Sequence, residues 1–173
     1  MINKGYLTAK TNKASDEYYT PEYAVKPLLK YLLPDDRVWC PFDKEDSAFV
    51  KVLREANIDV VATHIDNGQN FFFYEPKDYT VIMSNPPFSC KDAVLARLRE
   101  LHKPFAMMFP LPTLQGQKRF KDLVGTQALI FDKRINFYSD EARTQIVNGV
   151  AFATIYICWD LLPSDLVFEE LEI

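Results

Sequence analysis

The sequence is short of several things, and each shortage removes a class of protein. No apolar run approaches the roughly 20 residues that cross a bilayer, and the opening MINKGYLTAKTNKASDEYY lacks the apolar core of a signal peptide. The expectation is a cytoplasmic protein with no membrane partner. The three cysteines, Cys40, Cys90 and Cys158, are odd in number and far apart, which fits reduced thiols and not a disulfide framework. Two histidines, His64 and His102, with no close cysteine pair give no zinc-ligand spacing, so no metal is expected. Positive charge is short too. Lys and Arg number 20 against 24 Asp and Glu, a net charge of −4. Bulk electrostatics therefore does not hold this chain on nucleic acid, and any such contact has to come from local basic patches.

What is present is the material of one α/β domain. At 173 residues and 48% hydrophobic composition the chain can bury a substantial core. Residues 1–17 are polar and carry Lys4, Lys10 and Lys13, so a flexible segment is expected there, with a single domain over 18–173. TPEYAVKPLLKYLL reads as a helix: Thr20 is placed to N-cap it, Pro21 suits the first turn, and Pro27 is a site for a kink. RVWCPF, DVVATHI, DYTVIMSN and PFAMMFPL read as strands, with helices in DSAFVKVLREAN and KDAVLARLRELHK between them. ALIFDKRINFY and GVAFATIYICWD read as two late strands with no helix between them. Alternating strands and helices predict a mostly parallel sheet flanked by helices, closed by an antiparallel hairpin at the edge. Trp39, Trp159 and the run Phe71-Phe72-Phe73 are expected in the core, and His102 at a helix end or in solvent.

Ligands of open parallel sheets sit at the carboxyl ends of strands. Three such ends carry unusual residues: Cys40-Pro41-Phe42-Asp43, His64-Ile65-Asp66 and Asn85-Pro86-Pro87-Phe88. The last is the most pointed. Two prolines cannot continue a central strand, so the chain must turn into a stiff ledge presenting an amide and an aromatic ring.

Asn-Pro-Pro-Phe after an apolar strand resembles the catalytic signature of the S-adenosylmethionine-dependent amino methyltransferases, chiefly the N6-adenine DNA methyltransferases. YYTPEY resembles their Thr-Pro element, VWCPFD the opening of their cofactor loop, DNGQNFF their third motif, and RINFY with GVAFATIYI their closing strands. The likeness runs from about Tyr18 to Trp159 and is greatest to the small proteins of this kind found in phages and prophages. It implies a Rossmann-like methyltransferase fold and methyl transfer to the N6 amino group of adenine in DNA, on a flipped or single-stranded base. By resemblance, the Asn85 side-chain carbonyl and the Pro86 backbone carbonyl accept the two amino protons, Pro87 stiffens the ledge and Phe88 stacks on the base. S-adenosylmethionine would be held by Tyr19, Thr20, Pro21, Cys40, Pro41, Phe42, Asp43, Asp66 and Asn70.

The cofactor loop departs from the family pattern. Relatives carry an acidic residue before Pro-Phe and glycines after it, where backbone amides approach the cofactor. Here Cys40 to Ser47 contains no glycine, and Asp43, Glu45 and Asp46 stand in the loop, where they would repel the cofactor's carboxylate while one of them could hold its ammonium. Asn70 replaces an aspartate and accepts through its amide oxygen. The domain leaves no room for a separate target-recognition unit, so specificity falls to loops or to a protein partner. Backbone contacts are expected from Lys91, Lys118, Arg119, Lys121, Lys133 and Arg134, with QKRFK the best of them because it interleaves basic and aromatic residues. Two other readings stand beside the enzyme: a methyltransferase-like fold kept as a binding or regulatory module, favoured by the missing glycines, and the same chemistry on RNA adenine. A glutamine amide as acceptor fits less well, because relatives of that type carry Tyr where Phe88 stands.

Overall fold

The computed structural model describes residues 18–147 and 153–173. The expected flexible segment 1–17 and the first residues of the GVAFATIYI stretch lie outside the described residues. Seven strands, β1 (Arg37–Cys40), β2 (Asp59–Ala62), β3 (Val81–Ser84), β4 (Phe105–Pro110), β5 (Gln127–Phe131), β6 (Thr154–Trp159) and β7 (Leu166–Glu169), form one sheet in the order β2-β1-β3-β4-β6-β5-β7. β1 pairs in parallel with β2 and β3, and β3 with β4; β6 then runs antiparallel to both β4 and β5. The α/β architecture with its antiparallel pair is thus as the sequence implies. β7, from the acidic tail, adds a further parallel strand outside β5.

Among the described residues the α-helices are α1 (Glu22–Val25), α2 (Ala48–Glu55), α3 (Lys91–Leu101) and α4 (Phe120–Leu123). α1 passes directly into a 3₁₀ turn over Lys26–Tyr31 with Pro27 in its first turn, so the proline changes the helix type where a kink was expected. Thr20 does not cap α1. Pro21 occupies the cap position with no side-chain bond, and Thr20 is used elsewhere, as described below. Ser47 caps α2 by accepting from Val50 N at 3.3 Å. His102 ends α3 in the left-handed region, at φ 50°.

Strand alternation builds one core on each face of the sheet. Val38, Cys40, Val81, Met83, Ala106 and Met108 pack with α1 and α2, while Trp39, Ile82, Phe105, Met107 and Phe109 pack with α3. Each large apolar side chain so buried contributes about 1.5–3 kcal/mol. Trp39 and Phe71 are buried as expected and Phe72 and Trp159 are partly buried against the same core, but Phe73 is 70% exposed, in the turn where its N donates to Asn70 O.

The order β2-β1-β3 places the topological reversal between β1 and β3. The chain leaves β1 towards β2 and returns on β1's other side, opening a crevice beyond the carboxyl ends of β1 and β3.

Candidate functional site

Residues at that crevice come from three places in the chain. β1 delivers Pro41, Phe42 and Asp43; β3 delivers Asn85 to Phe88; and the segment before α1 delivers Tyr19 and Thr20. Tyr19 is fixed by a two-way backbone pairing with Tyr138, 2.9 Å in each direction. Tyr23 adds to this join, its hydroxyl accepting from Asn136 N at 2.9 Å. YYTPEY and RINFY, distant in sequence, therefore form one structural unit beside the ledge.

That unit sets the orientation of Asn85. Its Nδ2 donates to Thr20 Oγ1 at 3.1 Å, while its Oδ1 is buried with no hydrogen-bond partner. A buried carbonyl without a donor is costly, by about 1–3 kcal/mol, and such a group is conspicuous in a native fold. The prolines end β3 sharply. Pro87 O accepts from Cys90 N and Cys90 Sγ, both at 3.2 Å, in the 3₁₀ turn Phe88–Cys90 that leads into α3. The ledge is rigid from both sides.

Asp43 lies behind the ledge, not in front of it. It is 8% exposed and accepts hydrogen bonds from Ser84, the residue before Asn85, and from Ser47. Burial pushes its carboxyl up to about 6, against the lowering effect of the two serines and of Arg143. Cys40 is fully buried, and desolvation raises its thiol well above the ordinary value, so it packs as an apolar group.

At the end of β2, Asp66 sits in the 3₁₀ turn Ile65–Asn67, closed by Gly68 at φ 75°. Its carboxylate is half exposed, 3.1 Å from Lys44 Nζ and 3.3 Å from His64 Nδ1. The ion pair raises the Lys44 ammonium and ties the loop after β1 to the end of β2. Asn70 Oδ1 accepts from Phe72 N at 3.0 Å in its own turn. Phe42 packs on Phe71 with ring centroids 5.0 Å apart. Arg143, which sequence reasoning did not single out, stands over the Tyr19 ring at 5.9 Å and 3.6 Å from Asp46. Nothing in its loop sequence distinguishes it; only the Tyr19–Tyr138 pairing brings it here.

Beyond Phe88 lies an open cleft of about 480 Å³ between the start of α3 and the turn after β4. Lys91 and Arg119 both line it. Lys91 Nζ donates to Phe88 O at 3.4 Å, and Arg119 is held by Asp92 at 2.5 Å and by Gln115 O at 2.6 Å. Lys118, Lys121 and Arg134 are exposed. Lys133 is occupied by Leu171 O at 2.9 Å. Among the described residues no cluster of metal-ligating side chains is found, and no helix is long and apolar enough to cross a membrane.

No protein-family model matches the chain, and no curated protein matches it in sequence. Its backbone does resemble solved structures. The type I restriction-modification system methyltransferase subunit from Streptococcus thermophilus superposes over 96% of this chain at a TM-score of 0.56 and 14% identity. The chain spans about half the length of that subunit, 49%. The 23S rRNA methyltransferase ErmE matches over 82% of this chain and 69% of its own, at a TM-score of 0.49 and 12% identity. A Listeria monocytogenes protein assigned to the class I S-adenosylmethionine-dependent methyltransferases matches over 97% and 69%, at 0.49 and 11%. The chain has the Rossmann-like fold of S-adenosylmethionine-dependent methyltransferases. At these identities the likeness concerns the fold; the chemistry has to be argued from the residues.

Proposed function

We propose that this chain transfers a methyl group from S-adenosylmethionine to the exocyclic amino group of an adenine in nucleic acid, with DNA as the first substrate to test. The observation that carries the reading is the buried, unpartnered Asn85 Oδ1 beside an Nδ2 held by Thr20. The amide is oriented with its acceptor directed away from the protein's own donors, and an amino group on a flat ring supplies the missing donor. Accepting a hydrogen bond from that group draws the nitrogen towards tetrahedral geometry and localises its lone pair; once the nitrogen carries the methyl group, its surplus proton passes to solvent. Pro86 offers its backbone carbonyl to the second proton, and Phe88 supplies a ring at the end of the ledge. Because Thr20, Asp43 and the prolines hold these groups in place, little reorganisation accompanies transfer.

The cofactor supplies an electrophilic methyl group on a sulfonium. The residues at the ends of β1 and β2 fit its adenosine part: the Asp66 carboxylate suits ribose hydroxyls and the half-buried Phe42 ring offers an apolar face. Asp43, occupied by two serines and buried, does not fit the role of an ammonium partner; it braces Ser84, and with it the ledge. A second reading, a methyltransferase-like fold kept for binding without turnover, draws on the same loop, where no glycine opens the path for backbone amides.

Incubation of the protein with S-adenosylmethionine and unmethylated DNA or RNA, followed by nucleoside mass spectrometry, tests the proposal. N6-methyladenine made by the native chain and not by Asn85→Ala supports it. A folded, cofactor-binding protein that makes none on either polymer sinks it in favour of the binding module.

A further inference from the structure

We infer that the cleft beyond Phe88 is a subsite for the nucleotide next to the target adenine on a single strand. The inference rests on the reading that the ledge receives an adenine base. Asn85 does not border the cleft, whereas Phe88 does, so Phe88 is the wall shared between the ledge and the cleft. At about 480 Å³ the space falls within the range of small-molecule pockets.

Its walls are assorted in the way a nucleotide requires. Phe88, Pro110 and Pro112 give apolar surfaces on which a base can lie. Lys91 gives positive charge at the rim, and among the described residues no carboxylate stands within 4 Å of its ammonium. Arg119, by contrast, is committed to Asp92 and shapes the floor. Thr113 lines the same space. It is 1% exposed, and its Oγ1 is buried with no hydrogen-bond partner. A hydroxyl left so in a cleft wall is an unfilled contact for a base edge or a sugar hydroxyl.

The surface leading out of the cleft continues the pattern. Phe120 follows Arg119, is 67% exposed, and stands between the exposed Lys118 and Lys121. An exposed ring flanked by cations is a stacking platform with phosphate contacts on either side, the arrangement by which proteins hold single strands. A rigid duplex would keep its bases stacked and paired, out of reach of both the cleft and the ring. The subsite also gives this domain a means of reading one flanking base.

The test is fluorescence anisotropy with short labelled oligonucleotides containing one adenine, as single-stranded DNA, single-stranded RNA and duplex DNA, across a salt series. Single strands are expected to bind more tightly than duplex. Phe120→Ala is expected to weaken single-strand binding about tenfold, and Lys91→Gln to reduce the slope of log affinity against log salt by about 0.7. Thr113→Val, nearly isosteric, is expected to flatten either the preference for the base beside the adenine or the preference between RNA and DNA. The two single-strand arms thereby distinguish a base contact from a sugar contact. Phe120 is exposed and Lys91 is half-buried with one long hydrogen bond, so neither replacement opens the core. Equal binding of duplex, no binding of any oligonucleotide, or three variants indistinguishable from the native chain would overturn the inference. Asn85→Ala separates it from the transfer reading: that variant loses methylation and one contact to the adenine, while the salt slope set by Lys91 and the preference set by Thr113 are expected to persist in it. A native chain that binds single strands through the cleft but never methylates keeps the subsite and loses the transfer reading.

Discussion

Thr20 and Asn85, 65 positions apart in sequence, are joined by a 3.1 Å hydrogen bond from Asn85 Nδ2 to Thr20 Oγ1. The contact decides which end of the Asn85 amide is available. Without it the side chain is free to rotate, and its buried oxygen is free to seek another donor. Thr20→Val removes the acceptor while keeping the shape. A neutral hydrogen bond contributes about 0.5–1.5 kcal/mol, so kcat is expected to fall about two- to twelvefold with the fold intact, and Thr20→Ser to restore it. A Thr20→Val variant with native kcat, in an assay where chemistry limits the rate, would show that the orientation is set by something else.

Asn85→Ala removes the acceptor itself. Loss of one preorganised polar contact to a reacting group costs about 10²–10³ in kcat. Circular dichroism and thermal melting are expected to be unchanged, because the side chain makes one hydrogen bond and leaves one atom unpaired in the native protein. Single-turnover methylation with a saturating oligonucleotide measures the difference.

Asp43 makes stability depend on pH. Its carboxyl stands at about 6 in the folded chain against an ordinary value of 3.8, with burial the main cause. In the folded state it therefore binds its proton more tightly than in the unfolded state. The stabilisation from protonation is fully present below about pH 3.8 and is lost as the pH rises through about 6. The full span corresponds to about 3 kcal/mol. Asp43→Asn keeps an oxygen for Ser84 and removes the titration. Urea unfolding is expected to show the native chain losing stability relative to the variant between pH 4 and about 7. Parallel pH curves for the two would assign the carboxyl an ordinary value.

How far the sequence discloses this molecule depends on how local each signal is. β1 to β4 announce themselves as apolar runs, and the ledge announces itself because two prolines admit few conformations. The role of Thr20 is not legible: before Pro21 and an apolar face it reads as a helix cap, and only its proximity to a residue 65 positions away redirects it. Arg143 is a loop arginine until Tyr138 pairs with Tyr19. The stretch ALIFDKRINFY reads as one long strand but stops at Phe131, because Asp132 Oδ1 turns to accept from Leu171 N at 2.8 Å. The tail SDLVFEELEI reads only as acidic, because the alternation of its strand, Leu166 and Phe168 outward, Val167 and Glu169 inward, spans four residues.

That tail is structural. β7 pairs with β5 along Ala128–Phe131, and Leu171 beyond it is fully buried, its backbone held by Asp132 and by Lys133 Nζ. Leu171→Ala leaves a cavity where the backbone around it is fixed by these bonds. It is expected to cost about 3 kcal/mol, in the range for buried leucines. A shift in the urea midpoint with unchanged m-value would measure it, and a neutral result would mean that the tail is not docked in solution.

The ion pair between Lys44 and Asp66 makes the last prediction, because it sets two uses of one carboxylate against each other. Asp66 is the ribose-binding candidate, and in this structure its Oδ2 lies 3.1 Å from Lys44 Nζ. Both side chains are about half exposed, so the pair itself contributes little to folding. Its effect should appear in binding. Lys44→Ala removes the ammonium from the carboxylate and leaves His64 beside it, and affinity for S-adenosylmethionine, measured by calorimetric titration, is expected to rise several-fold. Asp66→Ala removes the hydroxyl partner and is expected to lower affinity about tenfold, the loss extending equally to adenosine, which lacks the methionine end. If the Asp66 variant binds like the native chain while the Lys44 variant weakens binding, the lysine itself holds the cofactor's carboxylate. The acidic, glycine-free loop would then have exchanged backbone amides for a side-chain cation.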